Sequence, residues 1–154
     1  MLRLICLNLL TGRMTCFPVF RNASISDVQV YSMMELGRDY NVSANFTLGE
    51  FACNDGSDIV LIHPALIPLL EAMRLKFGGP LFINSAYRTH SYNLSIGGAP
   101  RSKHLLGMAA DIWTPNTYPT KVADYAEDLN IGGVGRYKTF THVDIYNADR
   151  RWSL

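Results

Sequence analysis

The sequence predicts an α+β domain in which a small, largely antiparallel sheet is flanked by helices. Three observations carry this expectation. Helical periodicity is confined to residues 63–77 and 118–129, strand-like runs gather late in the chain, and the last two runs, 132–137 and 139–146, are joined tightly. Helices first and strands clustered late is the pattern of segregated layers rather than of alternating βαβ units.

Taken in order, residues 1–44 lack strong periodicity and read as an N-terminal extension, with the compact domain, 45–154, beginning near Asn45. Within the extension, Arg3 before the apolar run Leu4 to Leu10 has the outline of an export signal. However, Asn8 interrupts the run, and Cys16-Phe17-Pro18-Val19-Phe20 is not a small-residue cleavage site. The run also falls short of the ~20 apolar residues that span a bilayer, so no transmembrane segment is expected. From His63 to Phe77, Leu66, Leu69, Leu70, Met73 and Phe77 recur at three- and four-residue steps, with Pro64 near the first turn and Gly78-Gly79 past the end. That is an amphipathic helix with its start and stop signals. Leu81 to Tyr87 follows as a short buried strand entered through Pro80. Ser91 to Ala99 predicts a helical turn, then a flexible loop at Gly97-Gly98 that delivers Ser102 and His104. Tyr118 to Leu129 is a second helix with Val122, Tyr125, Ala126 and Leu129 on one side, and the two late strands close the domain.

Composition bounds the function classes. With 154 residues, 48% of them hydrophobic, the chain can bury roughly 70% of its unfolded surface in one core. A net charge of +1 demands no nucleic-acid partner, and Arg136, Lys138, Arg150 and Arg151 read as a solvated basic face. Cys6, Cys16 and Cys53 are odd in number and lack CxxC spacing, which argues against a zinc ribbon or a disulfide framework.

The chemistry concentrates at His104, Asp111 and His142. Two imidazoles and one carboxylate are what a catalytic zinc takes, since three protein ligands leave the fourth tetrahedral position open. The spacing of the first two restricts the backbone between them. One continuous helix would separate His104 from Asp111 by roughly 10 Å along its axis, and one unbroken strand would point them to opposite faces. Gly107 resolves the conflict, because glycine can adopt positive φ and turn the chain into a short strand from Met108 to Ile112. On that strand Ala109 and Asp111 share the metal face, while Met108, Ala110 and Ile112 enter a core.

The pattern Ser102-x-His104-x-x-Gly107-x-Ala109-x-Asp111, followed by His142-Val143-Asp144, resembles the zinc D-Ala-D-Ala carboxypeptidase family. That family includes phage and bacterial murein peptidases and shares its fold with the hedgehog signalling domain. The similarity extends through Asn45 to Cys53, Ile83-Asn84-Ser85-Ala86-Tyr87-Arg88, Asn93 before Gly97-Gly98-Ala99, and Gly132 to Tyr137, covering about residues 45–146. One departure is Ala86, where many relatives have glycine.

The resemblance implies one zinc per chain on His104, Asp111 and His142, and hydrolysis of a peptide bond in peptidoglycan stem peptides by a carboxypeptidase or endopeptidase. It implies a bacterial cell-envelope or phage-encoded setting, and a monomer is expected. It makes Arg88 the substrate-side arginine, with Ser102 and Tyr87 as further substrate contacts. Ser102 also reads as a turn or cap residue and Tyr87 as packing. His63 and His90 match no family ligand; the first belongs at a helix start and the second in a loop. In several relatives the general base is a carboxylate shortly before the last histidine ligand, but Thr139 stands three residues before His142, and no Asp or Glu lies between Asp128 and Asp144. Asp144 is the available replacement, as base through water or as an orienter of His142, because strand alternation puts it on the same face about 6.6 Å away. The alternative is a zinc-containing cell-wall-binding or phage-structural module of the same fold without catalysis.

Overall fold

The computed structural model describes residues 23–154; the apolar run at Leu4 to Leu10, Cys6 and Cys16 lie outside the described residues. A 3₁₀ turn, Ile25–Asp27, leads into β1 (Gln29–Ser32) and the one-turn helix α1 (Met33–Leu36). Next come α2 (Leu48–Phe51), β2 (Ile59–Ile62), α3 (Leu66–Phe77), β3 (Phe82–Ser85) and α4 (His90–Ser95). A second 3₁₀ turn, Lys103–Leu106, precedes β4 (Ala109–Trp113), α5 (Pro119–Asp128), β5 (Gly133–Arg136), β6 (Thr141–Asp144) and β7 (Arg150–Ser153). The architecture is mixed α+β. Its main sheet has the order β3-β4-β6-β5-β7, antiparallel except for the parallel β5–β7 pair, and β1 and β2 form a separate antiparallel ribbon.

The part of the arm that is described does not stand apart from the domain. Strand β1 pairs along its whole length with β2, from Gln29 opposite Ile62 to Ser32 opposite Ile59. Ser32 Oγ caps α1 and also donates to Asp58, whose carboxylate accepts from Met34 N–H at 2.7 Å. Four residues make too short a strand to show periodicity, which is why this pairing is silent in the sequence.

Helix α3 begins at Leu66 rather than His63, because the His63 side chain serves the helix entry instead. Its Nδ1 accepts from Ala65 N–H at 3.1 Å, and its Nε2 donates to the Ser24 carbonyl at 3.0 Å. The helix ends on Gly78 in the left-handed conformation, φ 65°. Its apolar stripe, Leu66, Leu69, Leu70 and Met73, packs in one cluster with Met108, Ala110 and Ile112 of the β4 segment, Val134, Val143, and Val122, Ala123 and Ala126 of α5. Fully burying each larger aliphatic chain contributes about 1.5–3 kcal/mol.

Two expectations are corrected here. Strand β3 is not buried: it is an edge strand with alternating exposure, and Phe82, 42% exposed, stacks on Trp113 of β4 at a centroid distance of 4.7 Å. The late cations form a solvated face only in part: Lys138 and Arg151 are exposed, but the arginines are also engaged with partners. Arg136 pairs with Asp124 and Glu127, Arg150 with Asp144, and Arg151 donates to the carbonyls of Gly132 and Ile131. The parallel strand β7 turns Arg150 inward and leaves Arg151 exposed, and nothing in the local sequence pattern announces it.

Candidate metal centre

The turn at Gly107 and the register of the sheet bring the three ligand candidates together. Gly107 is left-handed at φ 62°, and a Cβ there would lie 2.2 Å from the Leu61 carbonyl oxygen, so the position needs glycine on both counts. Beyond it, Ala109 to Trp113 run as β4 with Met108, Ala110 and Ile112 in the core, as the alternation predicts. Asp111 is directly opposite His142 on β6, and His142 is directly opposite Gly135 on β5. The row continues outward to Ser85 on β3 and Trp152 on β7. One cross-strand row therefore carries the centre.

His104 Nε2, Asp111 Oδ1 and His142 Nδ1 form a triangle with sides of 3.2, 2.9 and 3.1 Å. Donors about 2.0–2.1 Å from a tetrahedral zinc are spaced by roughly 3.3 Å, so the triangle has the size of one face of that tetrahedron. The remaining ring nitrogens are held from behind. His104 Nδ1–H donates to the Ala86 carbonyl at 2.6 Å, and His142 Nε2–H donates to Asp144 Oδ2 at 3.3 Å. Such partners fix the tautomer that leaves a lone pair toward a metal. The residues present fit zinc.

All four groups are buried, and such a cluster is unfavourable unless its charges are compensated. Two arginines do so. Arg88 donates from Nε to Ser85 Oγ at 2.8 Å and from a terminal nitrogen to Asp111 Oδ2 at 2.5 Å. Arg150 reaches Asp144 Oδ2 at 2.6 Å, while Asp144 Oδ1 accepts the backbone N–H groups of Gly133 and Tyr146, both at 3.0 Å. Burial holds His104 below its ordinary pKa. Burial also opposes charge on His142, but Asp111 and Asp144 outweigh it and hold the imidazole above its usual value. For Asp111, burial is overcome by its close contacts with His104 and His142, which keep the carboxyl well below the usual range.

The triangle opens on a cleft of about 560 Å³ whose lining includes Arg88, Arg101, Ser102, Lys103 and Tyr137, within the range of ligand pockets. Ser102 lies at its edge, and its Oγ accepts from His104 N–H at 3.4 Å as the cap of the 3₁₀ turn. Tyr87 does not join the lining. It packs against the core with its N–H on the Phe51 carbonyl, since the residue next to Arg88 on an extended backbone faces the other way. His90 opens α4 rather than sitting in a loop, and it is exposed. The sequence reading missed Arg150 and Trp152. Gly135 was the available signal for the second: a Cβ there would lie 2.5 Å from the Trp152 ring, which lies 5.0 Å from that of His142.

A family model described as Peptidase M15 matches residues 43–144, and the chain belongs to that family, whose zinc D-Ala-D-Ala carboxypeptidase type the ligand motif resembles. No curated protein matches the chain. M15 peptidases are zinc-dependent, and the buried His104, Asp111 and His142 are a group able to hold a metal ion. No helix among the described residues is long and apolar enough to cross a membrane.

Proposed function

We propose that the chain is a zinc peptidase that hydrolyses a peptide bond in the stem or cross-link of bacterial peptidoglycan, as carboxypeptidase or endopeptidase. The observation that carries this is the donor triangle, sized for one tetrahedral face and open to a cleft with Arg88 beside it. The topology is read as the one shared with the hedgehog domain. The working site is the bacterial cell envelope, for a chain encoded by a bacterium or its phage.

Zinc, when bound, supplies Lewis acidity toward the scissile carbonyl and a water nucleophile that ionises near neutral pH. The chain supplies the rest. Two of the five Arg88 N–H donors are committed to Ser85 and Asp111, and the others are available to a substrate carboxylate or to the oxyanion that develops on the carbonyl. Asp144 has no exposed surface and sits behind His142, with both oxygens hydrogen-bonded. This placement supports the orienting role, in which Asp144 fixes the His142 ring and its tautomer.

One observation favours a second reading, a non-catalytic zinc module that binds cell wall or builds a phage structure. The carboxylates of the cleft, Asp111 and Asp144, are both committed to partners. Digesting purified peptidoglycan with zinc-loaded protein and identifying the released ends by mass spectrometry separates the two. New amino termini or free D-alanine are expected, and a fully zinc-loaded protein that releases neither would establish the binding module.

A further inference from the structure

Four cations line the cleft: Arg88, Arg101, Lys103 and Arg150. Two are matched by carboxylates, Arg88 by Asp111 and Arg150 by Asp144. Among the described residues no carboxylate pairs with Arg101 or Lys103. Zinc on the donor triangle would add two more positive charges to the same space. A cleft built this way has an unsatisfied demand for anions.

Lys103 is the better fixed of the unmatched pair. It opens the 3₁₀ turn capped by Ser102 and immediately precedes the ligand His104, so its backbone is tied to the metal centre. Its ammonium lies 3.4 Å from the centre of the Tyr146 ring, and the Arg150 guanidinium approaches the same ring at 5.9 Å. One aromatic ring thus gathers two cations, only one of which is ion-paired with a carboxylate.

From this arrangement we infer that Lys103 and Arg101 form a subsite for a second carboxylate of the substrate peptide, on the Asp144 side of the metal centre, while Arg88 serves the Asp111 side. The inference rests on the peptidase reading and narrows it: the preferred substrate is an anionic peptide with a free side carboxylate near the scissile bond, and its amidated form is a poor one. A carboxylate can accept charge-assisted hydrogen bonds from both cations, whereas a primary amide brings no charge and presents donors to donors.

The test uses two D-Ala-D-Ala-terminated pentapeptides that differ only in a side carboxylate or its primary amide, together with hydrolysis-resistant analogues of both. Cleavage and equilibrium binding are measured at low and high salt for zinc-loaded wild type, Lys103→Met and Arg101→Gln, with zinc content determined in each. Wild type is expected to bind and cleave the acid roughly 10-fold better than the amide or more, the effect of a hydrogen bond to a charged group. The preference should shrink with salt and fall toward one in Lys103→Met while zinc stays bound. Equal binding of acid and amide by wild type overturns the subsite, as does a preference that survives in both variants. Cleavage of neither peptide, with acid-selective binding retained, overturns the peptidase reading and leaves the subsite standing.

Discussion

The centre contains two arginine–aspartate pairs of nearly equal length, and they are not equivalent. Arg88 and Asp111 meet at 2.5 Å, Arg150 and Asp144 at 2.6 Å. Asp111 divides its oxygens: Oδ1 faces the two imidazoles, and Oδ2 takes the arginine. Asp144 turns Oδ2 to the back of His142 and to Arg150, and spends Oδ1 on two backbone N–H groups. The same side-chain pairing thus builds a candidate metal donor on one strand and a support for such a donor on the next. Register makes the difference. Asp111 lies opposite His142, whereas Asp144 lies opposite Ala109, two cross-strand pairs further along the sheet.

Removing the donors of the triangle should have the largest effect. His104→Ala or His142→Ala is expected to reduce zinc from about one ion per chain to none, because two protein donors no longer make the three-ligand set. Elemental analysis of the purified variants checks this, and unchanged zinc content would move the site elsewhere. Wild type is also expected to lose activity on chelation and to regain it on adding zinc.

The Arg88 side comes next. Arg88→Lys keeps a positive charge but loses the planar fork, with its simultaneous bonds to Ser85 and Asp111. Peptidoglycan hydrolysis is expected to fall by about 10²-fold or more, with the fold intact and zinc retained. Wild-type rates in Arg88→Ala would reduce this residue to a structural ion pair.

On the Asp144 side the expected effect is smaller and of a different kind. Asp144→Asn should weaken zinc binding roughly 10- to 100-fold, as loss of a partner behind a ligand does. A proton-transfer role would instead leave zinc in place and remove 10²-fold or more of the turnover. Zinc titration and single-turnover rates on the same protein distinguish the two outcomes.

Much of the Asp111 side was legible in the sequence, and little of the Asp144 side was. His104, Gly107 and Asp111 could be placed because the seven-residue offset excludes both a continuous helix and an unbroken strand, and the glycine supplies the turn that reconciles them; His142 was joined to them by the donor set and the motif resemblance. Helices α3 and α5 were legible from their apolar steps, although α3 starts at Leu66, with the His63 ring bonded to Ala65 and Ser24 ahead of the first turn. Strand β7 was not. Its four residues alternate in exposure without a long apolar run, and its partner β5 lies parallel, a pairing that local turn chemistry cannot signal. Arg150 therefore read as surface charge, though it completes the coordination of Asp144. Strand β1 was hidden for a related reason: its register is set by β2, nearly thirty residues later in the chain.

The smallest expected effect belongs to Arg150, and it appears most clearly in acid and without metal. Burial alone would raise the Asp144 carboxyl, but hydrogen bonding and attraction from His142, the Arg150 charge and the Gly133 N–H hold it below its ordinary value. A carboxylate with a depressed folded pKa contributes stability that is fully present above its unfolded value, about 3.9, and is lost as pH falls through the folded value. Arg150→Met removes one cause of the depression, so the folded value rises and the stability is lost at a higher pH. The midpoint of acid unfolding of metal-free protein, followed by circular dichroism, should therefore move upward, by a few tenths of a pH unit, since Arg150 is 39% exposed and partly screened. Zinc affinity at neutral pH should fall by less than in Asp144→Asn, because Asp144 keeps its bonds to Gly133, Tyr146 and His142. An acid midpoint that does not move would mean that Arg150 only covers Asp144, and that the two arginine–aspartate pairs differ in function as well as in register.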